Sequence, residues 1–410
     1  MTITLPQILS ALISGGALCA LASIFIGYPM LVALRARIAP RPYPSGPEVW
    51  RGRPDEELPR VAILMSAHNE AARLPGKLAT LQNLDYPSAR VRLYVADDAS
   101  TDDTHAVLIA LAADEPRLSV ERSAINVGKP TNLNRLVERV DADGPVDVLV
   151  FCDARQPLDP QALRALLAPL ADPAVGGATG DLVLPPNPDG SLRGMGAYWR
   201  YETLIRTSEA ATGSVVGATG ALYAVRRALF VPFEAELVLD DMMLPLRVVL
   251  SGHRFVFAHG ALAFDAFSAD LDQEFKRKAR TLGGIYQAMA LEPRLLRPGA
   301  GVFVAFLFHK VGRLAFPWLM ALMALGALGA LLAGGAARPL GGLLLAAQGA
   351  LYLGAAAAAG LERLGVNAGP LRILRTLVAL MLASWAGWWR WRRGLMTAAW
   401  KPSESQRGRS

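Results

Sequence analysis

The stretch Val148-Leu149-Val150-Phe151-Cys152-Asp153-Ala154-Arg155 decides the fold of this chain. Its apolar run predicts a buried parallel strand, and the strand ends abruptly in an acid, a small residue and a base. The run Val91-Arg92-Leu93-Tyr94-Val95-Ala96 ends in the same way, at Asp97-Asp98. Because α/β sheets bind ligands at the carboxyl ends of their strands, these acids predict one crevice for a phosphorylated ligand, with a divalent cation between acids and phosphates.

Composition divides the 410 residues into two parts of different character. Residues 58–295 mix charged and apolar residues as soluble α/β domains do, whereas residues 300–391 are mostly Ala, Leu and Gly with few charges. The net charge of +7 and the positive mean hydropathy together fit a membrane protein with basic cytoplasmic flanks. A basic stripe interleaved with aromatic residues does not occur in the sequence, which argues against nucleic-acid binding.

The chain contains two cysteines, Cys19 in an apolar segment and Cys152 in the predicted strand. This pair cannot form a disulfide framework or a cysteine metal site. Such usage is typical of a domain in the reducing cytosol.

The N-terminal apolar run, residues 7–34, carries no charge and is long enough to cross a bilayer, which takes about 20 residues. Arg35 and Arg37 follow the run, and no base precedes it, so we predict a retained anchor with the following residues in the cytoplasm. A cleaved signal peptide, with Ala20-Leu21-Ala22 as the cleavage site, is the alternative.

Composition also suggests boundaries along the chain. Prolines are dense in residues 39–59, which predicts a linker. The predicted division is an anchor at 1–38, a Pro-rich linker at 39–59, an α/β domain at 60–295, an interfacial helix at 296–313, a transmembrane bundle at 314–391 and a basic tail at 392–410. Within the bundle, 373–391 is less regular than its neighbours because four tryptophans and Arg390 are typical of a membrane interface, so the number of spans stays open.

Polar residues follow the other predicted strands at the same sheet edge. Asn69 and Glu70 come after the strand at 61–65, where an amide and a carboxylate can hydrogen-bond a base or ribose, or can simply cap the next helix. Asp97 and Asp98 begin an acidic run that needs one acid as a helix cap, which leaves them as candidates for ribose or cation binding.

A glycine turn, Asn126-Val127-Gly128-Lys129, leads into a helix and brings a lysine to a position where it could meet a phosphate. The turn lacks the glycines of a P-loop, which excludes an ATPase of that kind. A solvated turn lysine is the alternative.

Taken together, these motifs resemble those of family 2 glycosyltransferases, the group that contains cellulose, hyaluronan and poly-N-acetylglucosamine synthases. The resemblance is carried by His68-Asn69-Glu70, Asp97-Asp98-Ala99-Ser100-Thr101-Asp102, Asn126-Val127-Gly128-Lys129 with Asn134, and Phe151-Cys152-Asp153-Ala154-Arg155. It implies an α/β fold of GT-A (Rossmann-like) type, with a cytoplasmic glycosyltransferase domain plus α-helical transmembrane segments.

The resemblance also implies a UDP-sugar site. Glu70 and Asp98 would contact the nucleoside and Lys129 the diphosphate, with Asn69, Asp97 and Asn134 in the same site.

One motif of the donor site departs from the family pattern. Asp153 would be the first acid of the Asp-x-Asp metal motif, but Arg155 replaces the second. A guanidinium cannot ligate a cation and can pair with the diphosphate instead. We still expect Mg²⁺ or Mn²⁺ at Asp153, with a weaker dependence or with another acid completing the site.

The pair Asp240-Asp241 supplies the predicted base. A helix cap needs one acid, and inverting sugar transfer needs a base at the acceptor hydroxyl. Since the family places a Glu-Asp pair here, Asp241 is the implied base and Asp240 its support.

Arg277-Lys278-Ala279-Arg280-Thr281 stands where family polysaccharide synthases carry Gln-x-x-Arg-Trp. Arg280 would neutralise the departing UDP, and Arg277 would join the donor site, but the aromatic residue is missing. A cationic segment lying on lipid headgroups is the alternative.

Acceptor contacts are expected from Glu202 and Arg206 on a charged helix and from Gly217 and Gly220, where backbone and ligand can approach closely. A solvated helix face and a β-bulge are the alternatives.

The predicted function is inverting sugar transfer to a growing saccharide, coupled to membrane passage in exopolysaccharide synthesis. The alternatives are transfer of one sugar to a polyprenyl-phosphate lipid and an inactive nucleotide-sensing membrane partner. Expected partners are a UDP-sugar, a saccharide or lipid-linked acceptor, the lipid bilayer of the inner membrane and an accessory export or regulatory protein, without nucleic acid. The geometric expectation is that Asp98, Asp153, Asp241 and Arg280 line a single cleft.

Overall fold

In the computed structural model, which describes residues 4–183, 195–265 and 271–399, the run Val148–Cys152 forms the expected buried strand. The predicted tail beyond residue 399 lies outside the described residues. Phe151, at the centre of the strand, is fully buried and stacks on Tyr223 with ring centroids 4.8 Å apart. Burying such a side chain contributes about 1.5–3 kcal/mol, so this strand anchors the sheet.

The described residues contain one mixed sheet and the helices around it. The strands are β1 Val61–Ala67, β2 Val91–Asp97, β3 Leu118–Arg122, β4 Val148–Cys152, β5 Val175–Val183, β6 Leu222–Arg226 and β7 Arg254–Phe264. The helices are α1 Leu5–Ala22, α2 Tyr28–Ile38, α3 Leu74–Gln82, α4 Thr104–Asp114, α5 Lys129–Ala142, α6 Ala162–Leu167, α7 Met195–Thr212, α8 Asp240–Leu250, α9 Leu271–Leu291, α10 Phe303–Ala305, α11 Gly312–Leu314, α12 Phe316–Ala333, α13 Arg338–Arg363 and α14 Leu371–Arg392.

Strand order places the acidic ends side by side. The order is β3-β2-β1-β4-β6-β5-β7, and β1 pairs in parallel with both β2 and β4. Val61 is the partner of Val91 on one side and of Val148 on the other, so the three strands run in register towards one edge. β6 runs antiparallel to β4 and β5. The α/β sheet predicted from the sequence is confirmed, and Asn69, Asp98 and Asp153 follow its three neighbouring parallel strands.

Four helical stretches are long and apolar enough to cross a membrane: Leu5–Ile38, Phe316–Ala333, Gly335–Arg363 and Leu371–Arg392. Small residues let two of them approach closely, as membrane helices do. A Cβ built on Gly326 in α12 would lie 2.5 Å from the backbone nitrogen of Ser14 in α1. These stretches are compatible with a membrane protein.

A buried polar cluster joins the sheet domain to the apolar helices. His309 lies in a π-helical turn, Phe306–Val311, between α10 and α11, in the segment predicted as an interfacial helix. Its ring nitrogens lie 2.8 Å from Glu209 Oε1 and 3.1 Å from Glu202 Oε2, both on α7. The Tyr28 hydroxyl in α2 donates to the same Glu209 oxygen at 2.6 Å. Because buried polar groups are costly when unpaired, this cluster stabilises the attachment of α2 and the segment before α12 to the sheet domain.

Candidate active site

The turn before α5 is shaped by Asp98. One carboxylate oxygen of this fully buried residue accepts from the Val127 N–H at 2.8 Å and the other from the Gly128 N–H at 2.9 Å. Gly128 has a φ of +86°, a left-handed conformation that favours glycine. Asp98 therefore determines where α5 begins and where Lys129 lies.

Lys129 is the first residue of α5 and bridges two acids from other elements. Its Nζ lies 2.9 Å from Asp153 Oδ1, just after β4, and 3.2 Å from Asp240 Oδ2, at the start of α8. Its side chain is only 16% exposed. Burial lowers the pKa of Lys129, but the charges of Asp153, Asp240 and Asp241 more than offset this and hold that pKa above its usual value. The ammonium is therefore charged at neutral pH.

Asp240 has a second partner, Tyr223. The hydroxyl of Tyr223, buried in β6, donates to Asp240 Oδ2 at 2.8 Å. Burial, with the charges of Asp240 and Asp241, holds the pKa of Tyr223 well above its usual value. The phenol therefore stays protonated and keeps Asp240 in place.

Asp241 is in a different electrostatic environment from its neighbour. Burial in the first instance, and then the negative charge of Asp240, raises the pKa of Asp241 to about 7, although Lys129 opposes the shift. A carboxyl group with such a pKa can accept a proton near neutral pH and is suited to general-base catalysis.

Gly220 marks the point at which these groups converge. A Cβ built there would lie 3.2 Å from Asp153 Oδ2, 3.3 Å from Asp241 Oδ2 and 3.6 Å from Lys129 Nζ. Glycine keeps this space open between two carboxylates and an ammonium.

Arg280 on α9 is electrostatically coupled to the same acids. Removal from water lowers the pKa of this guanidinium, and the charges of Asp240 and Asp241 oppose that shift. Arg280 remains charged, because an arginine does not deprotonate in proteins. The structure thus brings Asp153, Asp241 and Arg280 to one region, while Asp98 acts there through the turn it holds.

Arg155 forms an ion pair with Asp265. Its Nη2 donates to Asp265 Oδ2 at 2.8 Å, and Gln156 Nε2 donates to the same oxygen at 3.0 Å. Asp265 directly follows β7. The predicted contact of Arg155 with a diphosphate stays a prediction.

The residues present do not fit a divalent cation held by the protein. In the described part of the chain, His, Cys, Asp and Glu side chains form no group of three that could hold one. Asp153 Oδ1 and Asp240 Oδ2 form ion pairs with the ammonium of Lys129. Arg155 stands in place of the second motif acid. Because Mg²⁺ is usually bound by one or two carboxylates together with substrate phosphates, a divalent cation here would take most of its ligands from the donor and from water.

Two family models match the chain across the sheet and the site. The model of Glycosyl transferase family 2 matches residues 62–230, and the model of Glycosyl transferase family group 2 matches residues 148–361, more than half of the chain. The chain is a family 2 glycosyltransferase. The resemblance inferred from the strand-end motifs is confirmed.

Individual relatives are more distant. The transferase is 29% identical over 199 residues to a beta-monoglucosyldiacylglycerol synthase of Synechocystis sp., which covers 47% of this chain and only 40% of that relative. It is 24% identical over 318 residues to an N-acetylglucosaminyltransferase of Rhizobium sp., covering 74% of this chain and 67% of the relative. The chain therefore spans less than half the length of the first of these relatives and about two thirds of the second.

A solved structure supports the fold. The mannosyltransferase PcManGT from Pyrobaculum calidifontis, in complex with GDP-Man and Mn²⁺, matches with a TM-score of 0.68 and 22% identity. The match covers 92% of this chain and 99% of that one. The likeness confirms the predicted GT-A fold.

Several predicted donor residues hold loops of the transferase together. The Thr101 N–H donates to Asn69 Oδ1 at 2.8 Å, and Asn69 itself has a φ of +56°. Glu70 forms an ion pair with Arg73, and its backbone N–H donates to Thr104. Contact of Asn69 and Glu70 with a donor stays a prediction.

Asp97 and Asn134 are likewise engaged within the protein. Fully buried Asp97 accepts from the Ser100 N–H at 3.0 Å and lies 3.4 Å from Arg122 Nε. Asn134 donates to the Phe233 carbonyl at 2.8 Å and accepts from its N–H at 2.9 Å. Both side chains fix loops at the sheet edge, and a direct donor contact stays a prediction.

The predicted acceptor residues Glu202, Arg206 and Gly217 have different contacts within the protein. Glu202 is paired with His309 and Arg313, so its carboxylate contributes to the attachment of the apolar helices. Arg206 donates to Thr179 Oγ1 at 3.1 Å and lies over the Phe257 ring at 4.9 Å. Gly217 packs beside Met242, and an added Cβ would meet that side chain at an ordinary 3.5 Å.

Arg277, which is predicted to join the donor site, is exposed on α9.

Three residues that contact the candidate site residues were not predicted from the sequence. Tyr223 is the hydrogen-bond donor to Asp240, and Asp265 is the partner of Arg155. Ala398, beyond α14, lies against the turn before α5, where a Cβ on Gly128 would be 2.9 Å from its carbonyl carbon. The continuous apolar run of β6 indicates that Tyr223 is buried, but no local signal reveals the other two contacts.

Proposed function

We propose that the transferase moves a hexose or N-acetylhexosamine from a UDP-sugar to an acceptor hydroxyl, with inversion at the anomeric carbon. The observation that carries this proposal is the cluster around Gly220, where Asp241, Asp153 and Lys129 face one open point. An acid with a pKa of about 7 lies there beside a permanent cation. This combination suits proton removal beside a departing diphosphate.

The proposed reaction is a single displacement. The acceptor oxygen attacks the anomeric carbon and transfers its proton to Asp241. The bond from that carbon to the diphosphate oxygen breaks, and UDP leaves with the bonding electrons. Lys129 and Arg280 stabilise the negative charge that develops on the leaving group. No step depends on the predicted Mg²⁺ or Mn²⁺, because Asp153 and Asp240 already share the ammonium of Lys129.

For the acceptor, our first choice is a growing saccharide, as in exopolysaccharide synthesis with passage of the product across the membrane. It is supported by the four apolar stretches attached to the sheet domain and by similarity to a relative named as an N-acetylglucosaminyltransferase. The catalytic domain would face the cytoplasm at the inner membrane, because Arg35 and Arg37 follow the first apolar run. An accessory export or regulatory protein would then receive the product.

A second candidate is the addition of one sugar to a membrane lipid, such as a polyprenyl phosphate. It is favoured by similarity to a relative named as a monoglucosyldiacylglycerol synthase. Thr281, in place of the aromatic residue of polymer synthases, also favours it.

The test is release of UDP from a panel of UDP-sugars by the purified chain in lipid, with product analysis. Long polymer supports the first choice, and a single glycolipid supports the second. Asp241→Asn should lower kcat about 10²–10⁴-fold with UDP affinity retained, whereas Asp55→Asn, on an exposed turn, should leave both unchanged. Binding of UDP-sugars without release of UDP from any of them would contradict the proposal and favour a nucleotide-sensing partner.

A further inference from the structure

The ammonium group of Lys129 is a positive charge that the protein itself supplies to the site. Lys129 Nζ is within 3.2 Å of carboxylates from two separate elements, the end of β4 and the start of α8. An ammonium offers three hydrogen-bond donors. Asp153 accepts one of them at 2.9 Å and Asp240 forms an ion pair with the ammonium at 3.2 Å, so a further donor can serve another oxygen ligand.

A glycine without a side chain lies next to this ammonium. The Cβ position of Gly220 is 3.6 Å from Lys129 Nζ and has no side chain to fill it. Asp153 Oδ2 and Asp241 Oδ2 border the same space at 3.2 and 3.3 Å. A side chain at position 220 would crowd both carboxylates and narrow the approach to Lys129, whose own side chain is 16% exposed.

The second acid of the family's metal motif is absent from this chain. Arg155 stands at its position and is paired with another acid. Arg155 pairs with Asp265, which is only 6% exposed, and Gln156 supports that pair from the same strand end. A carboxylate at position 155 could ligate a cation through oxygen, which the guanidinium of Arg155 cannot do. The chain thus has an arginine at position 155 and the ammonium of Lys129 between Asp153 and Asp240.

We propose that the Lys129 ammonium takes the place of a divalent cation, linking Asp153 to the diphosphate of the donor, so that donor binding needs no added metal. The proposal rests on the function proposed above and names the group that neutralises its donor. Asp153 then acts as a positioning residue: it holds the ammonium, which touches the substrate. The turn fixed by Asp98 keeps Lys129 in reach of both.

The first test measures UDP binding by calorimetry to the full chain in lipid nanodiscs, in EDTA and in 5 mM Mn²⁺ (about the concentration that saturates ordinary sites for hard cations). We expect dissociation constants that agree within about twofold (a difference below 1 kcal/mol). A loss of tenfold or more in EDTA would overturn the proposal. Failure to bind UDP under either condition would instead count against the proposed function itself.

The second test uses variants and does not depend on activity. Arg155→Asp restores an acid at the motif, and we expect it to bind Mn²⁺ in the presence of UDP, seen as loss of the free-ion signal in electron paramagnetic resonance. Wild type and the control Arg155→Gln should match UDP and Mn²⁺ without protein. Tight Mn²⁺ binding by wild type would contradict the proposal.

The third test removes the cation. Lys129→Met should weaken UDP binding in EDTA by tenfold or more, and Lys129→Arg should restore most of it. Arg139→Gln, on the exposed last turn of the same helix, removes one positive charge as a control. Unchanged UDP affinity in a folded Lys129→Met protein would contradict the proposal.

Discussion

The ammonium of Lys129 lies 3.2 Å from the carboxylate of Asp240, the residue directly before the proposed base Asp241. The same Asp240 oxygen accepts a hydrogen bond from Tyr223 at 2.8 Å. Asp240 is thus held by two partners, and its negative charge disfavours ionisation of Asp241. One contact between two helix starts therefore links the donor side of the site to the proton acceptor.

The first prediction concerns the pH dependence of transfer. Because Asp241 must be unprotonated to act as base, kcat/KM should rise with pH and level off above about 7. Asp240→Asn removes the neighbouring negative charge and should move the midpoint to lower pH. Tyr223→Phe removes a hydrogen bond that offsets the charge of Asp240 and should move it to higher pH. Shifts in the same direction for both variants would contradict this coupling.

The second prediction concerns stability. The folded pKa of Asp241 exceeds the ordinary value of 3.8, so the unfolded chain releases this proton at lower pH than the folded one. Wild-type stability should therefore fall as pH rises from about 4 to about 7, with the full cost present above 7. Asp241→Asn should be more stable than wild type by about 1–2 kcal/mol at pH 8, after allowance for partial exposure. Thermal unfolding should show this difference shrinking towards pH 4, and a constant difference would contradict it.

The third prediction tests the space at Gly220. Gly220→Ala adds a Cβ 3.2 Å from Asp153 Oδ2 and 3.3 Å from Asp241 Oδ2, so both carboxylates must shift by a few tenths of an ångström. Transfer should fall by tenfold or more, since a displacement of about 1 Å can cost 10²-fold, while thermal stability changes little. Gly76→Ala is the matched control, because no atom lies within 4 Å of its Cβ position. Equal activity of the two variants would show that the open space is not used.

The fourth prediction separates backbone strain from crowding at Gly128. Gly128→Ala places a Cβ 2.9 Å from the carbonyl carbon of Ala398 at a φ of +86°. Gly52 has a similar φ of +74° with no atom within 4 Å, so Gly52→Ala reports the conformational cost alone, about 1–2 kcal/mol. Unfolding measurements should show a larger loss for Gly128→Ala, together with weaker UDP binding. Equal losses would mean that the segment after α14 does not constrain this turn.

Local sequence patterns predicted much of the sheet domain. Runs such as Val148–Cys152 are apolar throughout, which strands buried on both faces require, and polar residues directly follow them. Parallel strands share one carboxyl edge, so Asp153 could be placed beside the end of β1 before any distance was known. The doubtful segment 373–391 proved long and apolar enough to span a membrane, as part of Leu371–Arg392.

Side-chain pairings were beyond the reach of those patterns. Glu202 was predicted from its place on a charged helix as an acceptor contact, yet it pairs with Arg313, 111 residues away. Arg155 could have faced a diphosphate, and it pairs instead with Asp265, 110 residues away. Periodicity states which face of an element is buried, but not which distant group that face will meet.

Apolar runs, helix periodicity and hydropathy are properties of neighbouring residues, so the amino-acid sequence was enough to predict the α/β sheet, the acids at its carboxyl edge and the apolar stretches. Only the tertiary structure decided that Lys129 stands between Asp153 and Asp240. That arrangement depends on β4, α5 and α8 packing around one point. The balance of burial and charge that raises the pKa of Asp241 exists only once they have done so.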